Sequence, residues 1–287
     1  MTIALLDIET LLDDVRENKR KYLVVDSRPE EEYLKGHIPG AVRIAWEEWC
    51  ENAPAAAAPI LHEPGYWGTL ASTDDHVFEK RLIDAGIRQH AAIVVYADSV
   101  RSKGREGRVA WMLLYLGATE VYMLDHGWKQ WVKSEGPVEI GEPKSPPQKG
   151  EFKIALDHKR RVKHDDVFKD AKMELPLMID TRTAAEFHGD CYDYQPFKGK
   201  LPNSILFPFA DLFESDGTFV NRERYFEITP ADIMNTQNRV SYCEVGVRAA
   251  TFSLLHEIYT GEVIPVYDGS IIEWGWLQKS QSQCVDT

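Results

Sequence analysis

The stretch RVSYCEVGVRAATFSLLHEI, residues 239–258, sets the terms for the whole chain. Its apolar start, Val240-Ser241-Tyr242, reads as a short strand that ends on a single cysteine, Cys243. Arg248 follows, and the run from about Ala249 has helical spacing. A strand, a tight loop and a helix in that order are one βα turn. Ligands in such folds sit beyond the carboxyl ends of the strands, which is where Cys243 falls. The loop Cys243-Glu244-Val245-Gly246-Val247-Arg248 can curl its backbone N–H groups inward, and the helix N-terminus adds partial positive charge at the same point. Gly246 suits the curl because glycine accepts positive φ. Arg248 adds a full charge and a planar fork of donors. Such a loop favours a thiolate at Cys243 and cradles an anion brought to it.

Working outward, the chain repeats itself. KYLVVDSRPEEEYLKGHIPGAVRI (21–44) has a partner in PLMIDTRTAAEF and FKGKLPNSILF, which lie within 176–207. Each copy gives a β-rich run, Asp-[Ser/Thr]-Arg, a polar helix start, Gly-x-[Ile/Leu]-Pro and another short apolar run. AAIVVYAD (91–98) matches NRVSYCE (238–244), which sets Ala97 opposite Cys243. VYMLDHGWKQW (121–131) matches IPVYDGSIIEW (264–274), with the same interval from Asp125 to Trp131 as from Asp268 to Trp274. Four landmarks in one order mark a duplication. Between the copies, EGPVEIGEPKSPPQKGEF has the prolines, glycines and charges of a surface linker. The expected organisation is a first domain over 1–138, a linker over 139–150 and a second domain over 151–287.

Within each copy, short Val/Ile-rich runs alternate with helical patterns. Strands are expected at LVVDSR, AVRI, IVVYA and VYML, and helices at DIETLLDDVRE, ASTDDHVFEKRLIDAG and GRVAWMLLYLG. Near-continuous apolar strands are buried on both faces. The fold class is therefore α/β, each domain a mostly parallel sheet with helices on both faces.

Composition removes several function classes. The net charge of −13 argues against nucleic acid and against an anionic membrane surface. No apolar run reaches the roughly 18 residues of a membrane span. The start, MTIALLDIETLLDDVRENKR, lacks the basic opening and apolar core of a signal peptide, so the expected location is the cytoplasm. Cys50, Cys191, Cys243 and Cys284 form no CxxC and stand at no zinc-ligand spacing with a histidine. No metal and no cofactor is expected. Cys191 lies in the insertion DCYDYQPFKGK, and Tyr66 and Trp67 in EPGYWGTL are candidates to cover a cleft.

DSRPEEEYLKGHIPGA, DLFESDGTF, CEVGVRA and VYDGSIIEWG together resemble the two-domain rhodanese-type sulfurtransferases, over nearly the whole chain. The resemblance implies two tandem rhodanese-like domains, of which the second, carrying the Cys243 loop, is catalytic. It implies that Cys243 takes a sulfane sulfur from a donor anion such as thiosulfate or 3-mercaptopyruvate. A persulfide forms and passes its sulfur to a thiol, cyanide or a protein acceptor. By that analogy Glu244, Val245, Gly246, Val247 and Arg248 bind substrate, with Arg182 of the second Asp-x-Arg a further candidate. Arg28 repeats that arginine in the first copy, which also favours a structural tie. Two other readings share the domain. One is a sulfur-relay protein that holds persulfide for a partner. The other is a thiol phosphatase or arsenate reductase, whose loop would be one residue longer. The sequence departs from the family at Glu186, where an arginine is usual. It departs again at Glu244 and Val245, where thiosulfate-preferring members are basic, and at Ile271, where an aromatic residue is usual. Carboxylates at Glu186 and Glu244 would cost affinity for a dianion unless they point away.

Overall fold

The computed structural model describes residues 2–71, 76–142, 149–169, 174–190 and 193–285. By packing, the chain divides into two compact units. One comprises Met1–Trp46, Ser72–Asp157 and Phe213–Phe219; the other comprises Glu47–Ala71, His158–Leu212 and Val220–Thr287.

The first unit runs β1 (Thr2–Leu6), α1 (Ile8–Arg16), β2 (Tyr22–Asp26), α2 (Glu30–Lys35), β3 (Val42–Arg43), α3 (Val77–Asp84), β4 (Ala92–Tyr96), α4 (Arg105–Leu116), β5 (Glu120–Leu124) and α5 (Gly127–Lys133). Its sheet is parallel throughout, in the order β1-β5-β4-β2-β3. Chain order crosses this sheet in both directions. Right-handed crossovers therefore lay helices on both faces. α1 opens on Asp7, whose carboxylate accepts the Thr10 N–H at 2.8 Å, and buries Ile8, Leu11 and Leu12 against Val24, Val94, Leu124 and Trp131. α4 is buried from Glu106 to Leu116, as its nearly unbroken apolar sequence requires. Of the helix expected over 71–86, residues 72–75 lie outside the described residues.

The second unit repeats the plan with β6 (Arg161–Val162), α6 (His164–Phe168), β7 (Leu177–Asp180), α7 (Ala184–His188), β8 (Ser204–Leu206), α8 (Arg222–Ile228), α9 (Ala231–Asn235), β9 (Arg239–Tyr242), α10 (Val247–Thr260), β10 (Val266–Tyr267) and α11 (Ser270–Val285). Its parallel sheet has the order β6-β10-β9-β7-β8. That is the first sheet's order, strand for strand. Asp26 pairs with Tyr96 across the first sheet and Asp180 with Tyr242 across the second, so Ala97 and Cys243 follow equivalent positions.

The repeat extends to single hydrogen bonds. In the first unit Arg28 holds Asp26 and the Gly36 carbonyl, Tyr96 Oη donates to Asp26, and the Ile38 N–H donates to Tyr96 Oη. In the second, Arg182 holds Asp180 at 2.7 Å and the Gly199 carbonyl at 2.6 Å. Tyr242 Oη donates to Asp180 at 2.7 Å and accepts the Leu201 N–H at 3.1 Å. These groups are buried, so each bond removed strands a partner. Tyr242→Phe is expected to lower unfolding stability by about 1–3 kcal/mol, read from urea denaturation.

The packing departs from a division at 139–150 in three places: residues 151–157 stay with the first unit, Glu47–Ala71 packs in the second, and Phe213–Phe219 packs in the first. The aspartate after the last strand of each sheet holds one of the two exchanged segments. Asp125 accepts the Phe219 N–H at 2.9 Å in the first unit. Asp268 accepts the Leu70 N–H at 2.7 Å in the second, where Arg161 also donates to the Leu70 carbonyl at 2.8 Å. Of the expected linker, residues 143–148 lie outside the described residues. Among the described residues no helix is long and apolar enough to cross a membrane.

Candidate active site

β9 ends at Tyr242 and α10 starts at Val247, so the turn between them is four residues, Cys243 to Gly246. The helix begins two residues earlier than its spacing suggested. Val247 and Arg248 therefore belong to its first turn. Gly246 takes φ 78°, the left-handed conformation that the curl needs. Its N–H donates to Cys243 Sγ at 3.1 Å. Cys243 is 1% exposed. Its backbone is held from behind: its N–H donates to Ser270 Oγ at 3.1 Å, and its carbonyl accepts the Ile271 N–H at 3.4 Å. The sulfur therefore sits at the mouth of a 14-residue helix, with a backbone amide aimed at it.

Arg248 is not left open to an incoming anion. Its Nη1 and Nη2 donate to the two carboxylate oxygens of Glu186, each at 2.9 Å. Glu186 is the third residue of α7 and closes a capping box. Its Oε2 accepts the Thr183 N–H and hydroxyl, both at 2.9 Å, while its own N–H donates to Thr183 Oγ1. Burial alone would raise the Glu186 carboxyl, but the hydrogen bonds and charge of Arg248, with the Thr183 donors, outweigh it and hold it at about 2. Burial would lower Arg248. Glu186, and attraction to Cys243 and Glu244, drive it up instead. A carboxyl whose folded pKa is depressed lends stability above its ordinary value of 4.5 and loses it as pH falls toward about 2. The stability advantage of the wild type over Glu186→Gln should therefore shrink as pH drops through that window, measured by urea denaturation at stepped pH.

Glu244 follows the cysteine, and its Oε2 lies 4.0 Å from Arg248 Nη2. Its other oxygen accepts from Tyr194 Oη at 2.5 Å and from Gln195 Nε2 at 2.6 Å. Val245 joins an apolar cluster with Trp67, Tyr66, Tyr194, Ile272 and Trp276. Of the loop residues singled out in the sequence, the structure thus brings together Cys243, Gly246 and Arg248, with Glu244 at the rim. Arg182 is placed differently. It is 1% exposed, and Asp180 and the Gly199 carbonyl hold its Nε and Nη2, as their counterparts do for Arg28, while its buried Nη1 has no hydrogen-bond partner among the described residues.

Tyr66 and Trp67, the candidates to cover a cleft, belong to a segment that lies directly on the loop. A Cβ on Gly68 would stand 2.1 Å from the Val245 carbonyl oxygen. Thr69 Oγ1 donates to Glu273 at 3.0 Å, and Tyr66 meets Tyr194 edge to face at 5.1 Å. Sequence reasoning missed Tyr194, Gln195 and the capping role of Glu186. TRTAAE does carry the capping-box pattern, a Thr followed three residues later by a Glu. Cys50 is half-buried, with its thiol 3.6 Å from the Gly68 carbonyl. Cys191 and the side chain of Cys284 lie outside the described residues.

The equivalent turn of the first unit is longer, running from Ala97 to Gly104, whose φ of 87° opens α4 as Gly246 opens α10. Aligned on those glycines, Glu106 takes the place of Arg248. Its carboxyl is buried, accepts Ser102 Oγ at 2.8 Å, and is raised by burial to about 7. This turn offers neither a thiol nor the cation of its counterpart.

Residues 9–134 match the rhodanese-like domain family. Over 279 residues the chain is 26% identical to a putative thiosulfate sulfurtransferase of Haloferax volcanii, covering 94% of this chain and 91% of that protein. It is 28% identical over 250 residues to 3-mercaptopyruvate sulfurtransferase of Mus musculus, covering 85% and 78% of the two. Among solved structures, 3-mercaptopyruvate sulfurtransferase from Leishmania major superposes with a TM-score of 0.77 at 20% identity, over 96% of this chain and 75% of that one. The rhodanese-like plan matched over residues 9–134 is repeated strand for strand in the second unit, and over most of its length the chain is similar to proteins named as thiosulfate and 3-mercaptopyruvate sulfurtransferases.

Proposed function

We propose that the chain moves a sulfane sulfur from a small donor, such as thiosulfate or 3-mercaptopyruvate, to a thiophilic acceptor through a persulfide on Cys243. The carrying observation is the placement of Sγ, at the carboxyl end of β9, on the Gly246 amide and before the first turn of α10. Amide and helix end both favour negative charge on sulfur, in the thiolate that attacks and in the persulfide that results. With thiosulfate, the Cys243 thiolate attacks the outer sulfur, an S–S bond forms, and sulfite leaves with the electron pair of the broken bond. With 3-mercaptopyruvate, the C–S bond breaks, the pair stays on carbon, and the thiol proton completes pyruvate. A second thiolate, or cyanide, then attacks the outer persulfide sulfur and returns Cys243 as thiolate. Arg182 acts on this site through Asp180 and the backbone rather than on the donor. The first unit takes no part in the chemistry.

The paired state of Arg248 bears on the alternatives. A phosphatase needs that guanidinium for a phosphoryl group, and here Glu186 occupies it. A relay that exchanges sulfur with a protein persulfide needs no free cation, so the same ion pair favours it as the second reading. A burst experiment tests the main one. Without acceptor, the protein should release one equivalent of sulfite or pyruvate per chain and stop; cyanide should restart it. Steady release without acceptor, or no burst with either donor, contradicts it.

A further inference from the structure

Glu186 is an unusual neighbour for an anion-handling loop. Its carboxylate is anchored twice, by Thr183 on one side and by both terminal nitrogens of Arg248 on the other. It is largely buried, as is Arg248. A donor that wanted the guanidinium would have to displace a carboxylate fixed by four hydrogen bonds. Glu244 adds a second carboxylate 4.0 Å from the same guanidinium, and Tyr194 and Gln195 hold it there. Two anions thus surround one cation at the rim of the Cys243 turn, which leaves that group of three with a net negative charge.

We propose that Glu186 sets the charge of the donor that Cys243 accepts, turning the site against dianions and toward donors with one negative charge or none. The inference rests on the Cys243 persulfide reading and names its substrate class. Thiosulfate carries two charges, and 3-mercaptopyruvate carries one at its carboxylate. Repulsion from a net negative rim scales with donor charge, so it falls harder on thiosulfate. Glu186 touches no reacting atom; it is a positioning residue that acts through Arg248.

The test is Glu186→Gln. Glutamine also serves at the third position of a capping box, so α7 keeps its start while the charge is lost. Loading of Cys243 is measured as kcat/KM for each donor. The ratio of thiosulfate to 3-mercaptopyruvate should rise by about 10-fold or more, with the change in the KM for thiosulfate. A merely structural role would lower both efficiencies together and leave the ratio unchanged, which overturns the inference. Salt on the wild type gives a second reading that needs no variant. Thiosulfate loading should speed up as ionic strength rises and repulsion is screened; slowing would overturn the inference. If the wild type loads sulfur on Cys243 but the ratio does not move, this inference fails and the persulfide reading stands. If the wild type loads no sulfur from either donor, both fail.

Discussion

Cys243→Ser should abolish sulfur transfer, with a loss of at least about 10³-fold in turnover and no burst of sulfite or pyruvate. The reason is chemical as well as geometric. A serine hydroxyl can occupy the site and accept the Gly246 N–H that now reaches Sγ at 3.1 Å. It is not ionised near neutral pH and does not form the bond to sulfur on which the cycle depends. The fold should be untouched. The side chain is small, and the backbone bonds to Ser270 and Ile271 use Cys243 main-chain atoms alone. A variant that unfolds at the wild-type denaturant midpoint and still transfers sulfur would remove Cys243 from the mechanism.

Gly68→Ala should be nearly as damaging, although Gly68 lies 175 positions from the cysteine in sequence. Its Cβ would meet the Val245 oxygen at 2.1 Å, the carbonyl carbon at 2.6 Å and Cα at 2.7 Å. All three are backbone atoms and cannot rotate aside. Neither partner is free to retreat. Asp268, Arg161 and Glu273 hold Leu70 and Thr69, while the turn is tied to Ser270, Ile271 and Ile272. Val245 precedes Gly246, so relief of the clash carries the Gly246 amide off the sulfur. A displacement of about 1 Å at a reacting centre costs on the order of 10²-fold in rate. Overpacking of this kind also costs about 1–3 kcal/mol of stability. Burst amplitude and urea denaturation should both fall. Full activity in Gly68→Ala would mean that the 47–71 segment does not rest on the turn.

The parts that the sequence made legible were those written in local pattern. Apolar runs ended by Asp-x-Arg, the glycine before α10 and the matched Asp125/Trp131 and Asp268/Trp274 intervals all describe one βα turn or one strand end at a time. They led to two mostly parallel sheets and to Cys243 at a strand tip. What pattern could not reach was pairing over distance. Glu186 and Arg248 are 62 positions apart, and Glu244 and Gln195 are 49 apart. In sequence the two carboxylates read only as obstacles to an anion. In the fold one of them is the partner of the arginine. The exchange of Glu47–Ala71 was equally hidden, because ENAPAAAAPI has neither period and its hold comes from Asp268 and Arg161 far along the chain. Arg182 shows the reverse case. Its duplicate at Arg28 already pointed to a structural tie, and the two arginines make matched hydrogen bonds to an aspartate and a glycine carbonyl.

A persulfide on Cys243 is read from the mass of the intact protein after brief exposure to thiosulfate, and separately to 3-mercaptopyruvate, without acceptor. One sulfur atom should be gained with at least one donor, mapped to the peptide that carries Cys243. Cyanide should remove it, and Cys243→Ser should lack it. No gain with either donor, or a gain mapped to the peptides of Cys50, Cys191 or Cys284, would contradict a persulfide on Cys243.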